Sequence, residues 1–196
     1  MDYLYLTFAW LLFGTVHSLM ASSAFKILIA GWKQKHMPYY RLFYNAISLL
    51  TFLLPLYFQL QIEALHLWPR NLTLLILGAG LAVAGLCIIL LALRQYDLSE
   101  FSGTNAFRKP NERGEFLNTS GLSGQVRHPL YTGTLMLLWG IWIFDATLAS
   151  LVTAISLTAY IRVGIHFEEK KLLRQFGENY HLYRERVPML FPRFFS

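Results

Sequence analysis

The sequence predicts an all-α integral membrane protein: five transmembrane helices, with a C-terminal helical hairpin and a cytoplasmic amphipathic tail helix. Three observations predict it. Hydrophobic residues make up 55% of the 196 residues and charged residues only 14%, against about 45–50% and about 25% in soluble domains. The apolar residues fall into runs near the ~20 residues that a bilayer asks of each helix. Basic residues flank those runs on one side.

The first span reads as Tyr3 to Met20, with a continuation to Ile29 left open. Asp2 stands before it and no basic segment does, so it reads as a span and not as a cleavable leader. The second runs from Tyr40 to Leu60, and the third, the cleanest, from Leu72 to Leu93. The fourth, Leu130 to Phe144, is short for a full crossing; the fifth is Leu148 to Phe167. Asp145, Ala146 and Thr147 leave almost no loop between the last two, which predicts a tight helical hairpin.

Charge sets the expected orientation. Lys26, Lys33, Lys35 and Arg41 occupy the first connection, and Arg94, Arg108, Lys109, Arg113 and Arg127 the third. Lys170, Lys171, Arg174, Arg184, Arg186 and Arg193 occupy the tail, and the opposite side holds only Arg70. Five spans put all three basic segments on one face, predicting an N-terminus outside and a C-terminus in the cytoplasm, in the inner membrane if the cell is bacterial. The net charge of +6 is thereby topological, and nucleic acid is not an expected partner.

Residues 1–196 read as one membrane domain: a three-helix part over 1–94, a polar glycine-containing cytoplasmic loop over 95–126, and a hairpin with its tail over 127–196. In the tail, Leu172, Phe176, Tyr180, Tyr183 and Val187 recur at helical spacing and predict an apolar stripe, interruptible at Gly177 and ended by Pro188. Such a helix lies on the membrane or caps the cytoplasmic mouth.

Ionisable groups inside a membrane are costly and therefore informative. Arg162, His166 and Glu169 are spaced by four and three and share one helical face; Glu168 points roughly 100° away. They read either as a snorkelling arginine with interfacial neighbours or as the polar wall of a cavity. A second cluster, Arg127 to Gly133, stands where the long loop enters the fourth span. Pro129 suits a first helical turn, His128 and Tyr131 share a face, and Gly133 permits close approach to the backbone. An ordinary interfacial belt is the alternative. His17 reads as a helix–helix hydrogen bond and Cys87 as a small packing residue. There is no HExxH, no paired CxxC, no G-x-S-x-G and no P-loop, so neither a metal site nor serine hydrolysis is expected.

The string from Val126 to Gly133 resembles the RHPxYxG motif of the membrane-embedded methyltransferases, the superfamily of isoprenylcysteine carboxyl methyltransferase and phospholipid methyltransferases. Glu168-Glu169-Lys170-Lys171-Leu172, then Phe176-Gly177-Glu178-Asn179-Tyr180 through Tyr183, then Arg186-Val187-Pro188 and Pro192 resemble its EExxL, FGxxYxxY and RVPxxxP elements, in the same order. Leu12-Phe13-Gly14, His17 to Ser22 and Phe25-Lys26, with a looser echo at Asp97-Leu98 and Phe101 to Gly103, resemble the NnrU-like proteins and the bacterial methanethiol S-methyltransferases. Leu122-Ser123-Gly124-Gln125 stands where relatives carry an aromatic and a basic residue.

The resemblance implies S-adenosylmethionine as cofactor, held by Gln125, Arg127, His128, Tyr131, Gly133, Glu168 and Tyr180. It implies Arg162, His166 and Tyr183 at the acceptor, with Arg186 and Glu169 as catalytic groups and Arg186 on an anionic acceptor atom. The implied acceptor is a small thiol, or a lipophilic thiol or carboxylate that reaches the site among membrane lipids. A nicotinamide-dependent reductase like the sterol reductases, and a non-catalytic NnrU-type protein, are the other readings.

Overall fold

The computed structural model describes residues 1–33, 39–95 and 117–192. Among them the chain is helical, apart from turns and one isolated bridge between His66 and Thr147. The helices are α1 (Asp2–Ala21), α2 (Ser23–Lys33), α3 (Tyr40–Gln61), α4 (Leu72–Leu93), α5 (Pro129–Phe144), α6 (Leu148–Phe176) and α7 (Glu178–Arg186). A short 3₁₀ turn, Gly121–Gly124, precedes α5.

Four helices, α1, α3, α4 and α6, are long and apolar enough to cross a membrane, which makes this an integral membrane protein. The 16 residues of α5 rise about 24 Å, less than the ~30 Å of hydrocarbon. The expected continuation of the first span is a separate helix: Ser22 is extended, and α2 starts after it. The fifth span and the start of the tail are one helix, because α6 runs on through the charged stretch to Phe176. It stops at Gly177, whose φ of 51° lies in the left-handed region that a residue without Cβ adopts freely. The stripe from Leu172 to Val187 is therefore divided between the end of α6 and the short α7. The loop expected over 95–126 lies largely outside the described residues.

The described residues form two compact units. The first comprises those within Met1–Leu67 and Thr147–Leu157. Its core is Leu6, Trp10 and Ala149 with Phe13, Phe52 and Phe58 around them. Trp10 Nε1 donates to Thr153 Oγ1 at 3.0 Å, and that hydroxyl donates to Gln59 at 2.6 Å. His17 is a helix–helix pin, with Ser48 Oγ at 3.1 Å on one ring nitrogen and the Tyr44 hydroxyl at 2.6 Å on the other.

The second unit comprises the described residues within Trp68–Gln95, Arg113–Ala146 and Thr158–Ser196. Within it α4 packs on α5 through small residues. A Cβ at Gly85 would meet Leu137 N at 2.5 Å and Gly133 O at 2.6 Å. One at Gly78 or Gly140 would collide with backbone across the same seam. This is the small-residue packing that lets membrane helices approach without a hydrophobic driving force. Cys87 is exposed on α4 and is not a packing residue. A lipid-facing position asks only that a side chain be apolar, so a lone thiol meets no penalty there. At the end of α5, Arg70 pairs with Asp145 at 2.5 Å.

Candidate active site

The second unit brings the N-terminus of α5, the last turns of α6, and α7 around one buried carboxylate. Pro129 is the first residue of α5, where its missing N–H costs nothing, and His128 caps it. The backbone ahead of the helix is laced to the segment after α7. Arg127 N–H donates to Pro188 O at 2.9 Å and His128 N–H to Met189 O at 3.1 Å. Thr132 Oγ1 donates to Leu190 O at 2.8 Å, and the Tyr183 hydroxyl to Ser123 O at 2.5 Å. The segment beyond α7 is thus a strap over the start of α5, anchored by Leu190 in a core with Leu135, Ile161 and Ile165.

Glu169 sits beneath that strap, 6% exposed. Its Oε1 accepts from Arg127 Nε at 2.8 Å, His128 Nε2 at 3.1 Å and the Tyr180 hydroxyl at 3.0 Å. Its Oε2 faces Arg184 Nε at 3.2 Å. The carboxylate only accepts, so His128 must carry its proton on Nε2 in this bond. Arg127 also donates from Nη1 to Val187 O at 2.7 Å and Arg184 O at 3.2 Å. Arg127 and Glu169 are both buried, and such a pair holds only when further hydrogen bonds satisfy it, as these do. Tyr180 is 1% exposed. Burial, then the neighbouring Glu169 charge and the bond to it, push its hydroxyl pKa upward.

Beside Glu169 an open pocket of about 350 Å³ is lined by Arg162, His166, Lys170 and Leu173 of α6, Arg184 of α7, and Met189 of the strap. Arg162 Nη1 lies 3.2 Å from Met189 Sδ. Of the residues singled out in the sequence, Arg127, His128, Glu169 and Tyr180 form the buried cluster, while Arg162 and His166 line the pocket. Glu168 is at the edge, 3.9 Å from His128 Nδ1 and 40% exposed in its side chain. Tyr131 packs its ring 5.7 Å from the His128 ring.

Four are placed elsewhere. Gln125 is exposed just after the 3₁₀ turn, its N–H donating to Leu122 O. Gly133 gives close approach to α4, since a Cβ there would meet Gly85 O at 2.8 Å. Tyr183 is buried against Ser123, and Arg186 is exposed at the end of α7, outside the pocket lining. Lys170, Arg184 and Met189 are pocket residues that the sequence reading missed. Two carried a signal: Lys170 is four residues after His166, and Arg184 four after Tyr180.

Residues 9–187 match the family described as "Protein of unknown function (DUF1295)". Methanethiol S-methyltransferase 2 of Bradyrhizobium diazoefficiens is 35% identical over 94% of this chain and 71% of its own length. The methanethiol S-methyltransferase of Crocosphaera subtropica is 33% identical over 92% of this chain and 71% of its own. That of a Pseudomonas strain is 37% identical over 59% of this chain and 47% of its own. No solved structure matches. The chain belongs to the DUF1295 family, among relatives that carry the name methanethiol S-methyltransferase.

Proposed function

We propose that the protein is a membrane methyltransferase that moves a methyl group from S-adenosylmethionine to a small thiol, methanethiol being the leading acceptor. The observation that carries this reading is the juxtaposition of the RHP segment's buried His128–Glu169–Arg127 cluster with a pocket edged by three cations, in a chain akin to methanethiol S-methyltransferases. The pocket is at the small end of the ~300–1,000 Å³ typical of small-molecule sites.

The residues fit the donor. Arg184 offers a counter-charge for its carboxylate, and Glu168, half-exposed beside His128, one for its ammonium. When bound, the donor supplies a methyl carbon activated by its sulfonium cation. The protein's part is to position the reactants and exclude water. Glu169 does so indirectly: with its oxygens taken up by Arg127, His128, Tyr180 and Arg184, it fixes the walls of the pocket. The orientation that fits this chemistry is the one the basic residues favour, with five crossings and the pocket open to the cytoplasm, where a polar donor is available.

The test is calorimetric titration of the purified protein with S-adenosylhomocysteine, paired with an assay for dimethyl sulfide formed from methanethiol. Micromolar binding and product formation are expected. Neither binding nor product would sink the reading.

A further inference from the structure

A thiol is a poor nucleophile until it loses its proton, and the pocket offers few groups to take one. Among the described residues Glu169 is the one carboxylate lining it; its Oε1 already accepts three hydrogen bonds and its Oε2 is paired with Arg184. Arg162, Lys170 and Arg184 are donors only. His166 remains. It is exposed, it lines the pocket, and its ring makes an edge contact with the Phe167 ring. It sits four residues after Arg162 and four before Lys170, so the three side chains stack along one face of α6 over about 12 Å.

Resting on the methyltransferase reading, we propose that His166 is the general base that takes the acceptor's S–H proton, while Arg162 and Lys170, one turn to either side, hold the resulting thiolate. The proton moves from sulfur to an imidazole nitrogen. The freed sulfur lone pair then forms the new carbon–sulfur bond, and the pair of the old bond stays on the donor's sulfur, which becomes a neutral thioether. The charged groups facing His166 are Arg162, Glu169 and Lys170 on its own helix and Arg184 from α7; from the strap it meets only the thioether of Met189. With Glu169 already committed to its own donors, the surrounding charge is positive. It stabilises the thiolate, and His166 passes its proton to water through the open mouth and is reset for the next turnover.

The experiment uses the full chain in lipid nanodiscs with methanethiol. His166→Gln should lower the rate about 100-fold at neutral pH, within the range for a lost general base. It should leave S-adenosylhomocysteine affinity unchanged, and its rate should recover about tenfold per pH unit as the free thiol ionises on its own. His166→Ala should be partly rescued by added imidazole. In the dead-end complex with S-adenosylhomocysteine, thiolate ultraviolet absorbance should appear at lower pH in the wild type than in Arg162→Gln/Lys170→Gln. A wild-type rate for His166→Gln at neutral pH, or the same onset of thiolate absorbance with and without the two cations, would overturn the proposal and leave the methyltransferase reading intact. A wild type that transfers no methyl group would overturn both.

Discussion

Glu169 accepts the Tyr180 hydroxyl at 3.0 Å, joining the last turns of α6 to the helix beyond the Gly177 break. Tyr180→Phe removes that donor from a buried carboxylate, at a cost of about 1.5–3 kcal/mol, the range for hydrogen bonds to charged groups. The raised Tyr180 pKa adds a pH signature. A folded-state pKa above the unfolded value of 10.0 means the folded protein holds the proton more tightly, so this stability is whole below pH 10 and is lost as pH rises beyond it. Unfolding in detergent, followed from pH 8 to 12, should fall more steeply for wild type than for Tyr180→Phe. Parallel curves would contradict the bond.

Arg127→Gln should be more damaging. It leaves Glu169 with one charged partner fewer, and the carbonyls of Val187 and Arg184 lose their donor. Breaking a buried pair from one side costs about 3–5 kcal/mol. The strap should loosen first, so limited trypsin digestion should cut at Arg184 or Arg186 in the variant before any other site. Cleavage no faster than in the wild type would show that Arg127 does not hold the strap.

Of the architecture, the spans were the legible part, because a bilayer imposes a length and an apolarity that show directly in a run such as Leu72–Leu93. The site was legible as two segments, Arg127 to Gly133 and the Glu168–Glu169 pair, but not as one. The bonds from Arg127 and His128 to Glu169 span 42 and 41 residues, and no local periodicity reports a contact at that range. The partner of Gly133 was hidden for the same reason: a glycine signals close approach but not what approaches, and here it is α4. The stripe from Leu172 to Val187 was legible together with its interruption at Gly177, where the backbone turns left-handed.

The seam between α4 and α5 predicts a contrast among glycines. Gly85→Ala drives a Cβ into the backbone of α5 and should cost about 1–3 kcal/mol, the usual range for overpacking. A Cβ at Gly80 or Gly164 meets nothing within 4 Å. Both lie inside helices, where alanine is favoured over glycine by roughly 0.5–1 kcal/mol, so Gly80→Ala and Gly164→Ala should be neutral or stabilising. Thermal unfolding of the three variants checks this, and equal losses at all three would contradict the seam.

Orientation is tested by reporter fusions after Ser196 and within the basic segment near Asn111. Both should report the cytoplasm if the basic segments share one face. A signal from the opposite side at either place would remove the donor's route to the pocket.

The last prediction separates two arginines of α7. Arg184 reaches Glu169 and lines the pocket, while Arg186, two residues on, is exposed and outside it. Two residues on a helix differ by about 200°, so the two side chains point to nearly opposite sides. If the pocket holds the donor, Arg184→Gln should weaken S-adenosylhomocysteine binding by about 10-fold or more, roughly 1.4 kcal/mol. It also frees one oxygen of a buried carboxylate, so Arg184→Lys, which keeps the charge without the planar fork, should recover part of the loss. Arg186→Gln should leave affinity and turnover near wild type. Should Arg186→Gln instead abolish turnover while Arg184→Gln is silent, the acceptor lies on the other side of α7, and the pocket beside Glu169 is not where the methyl group moves.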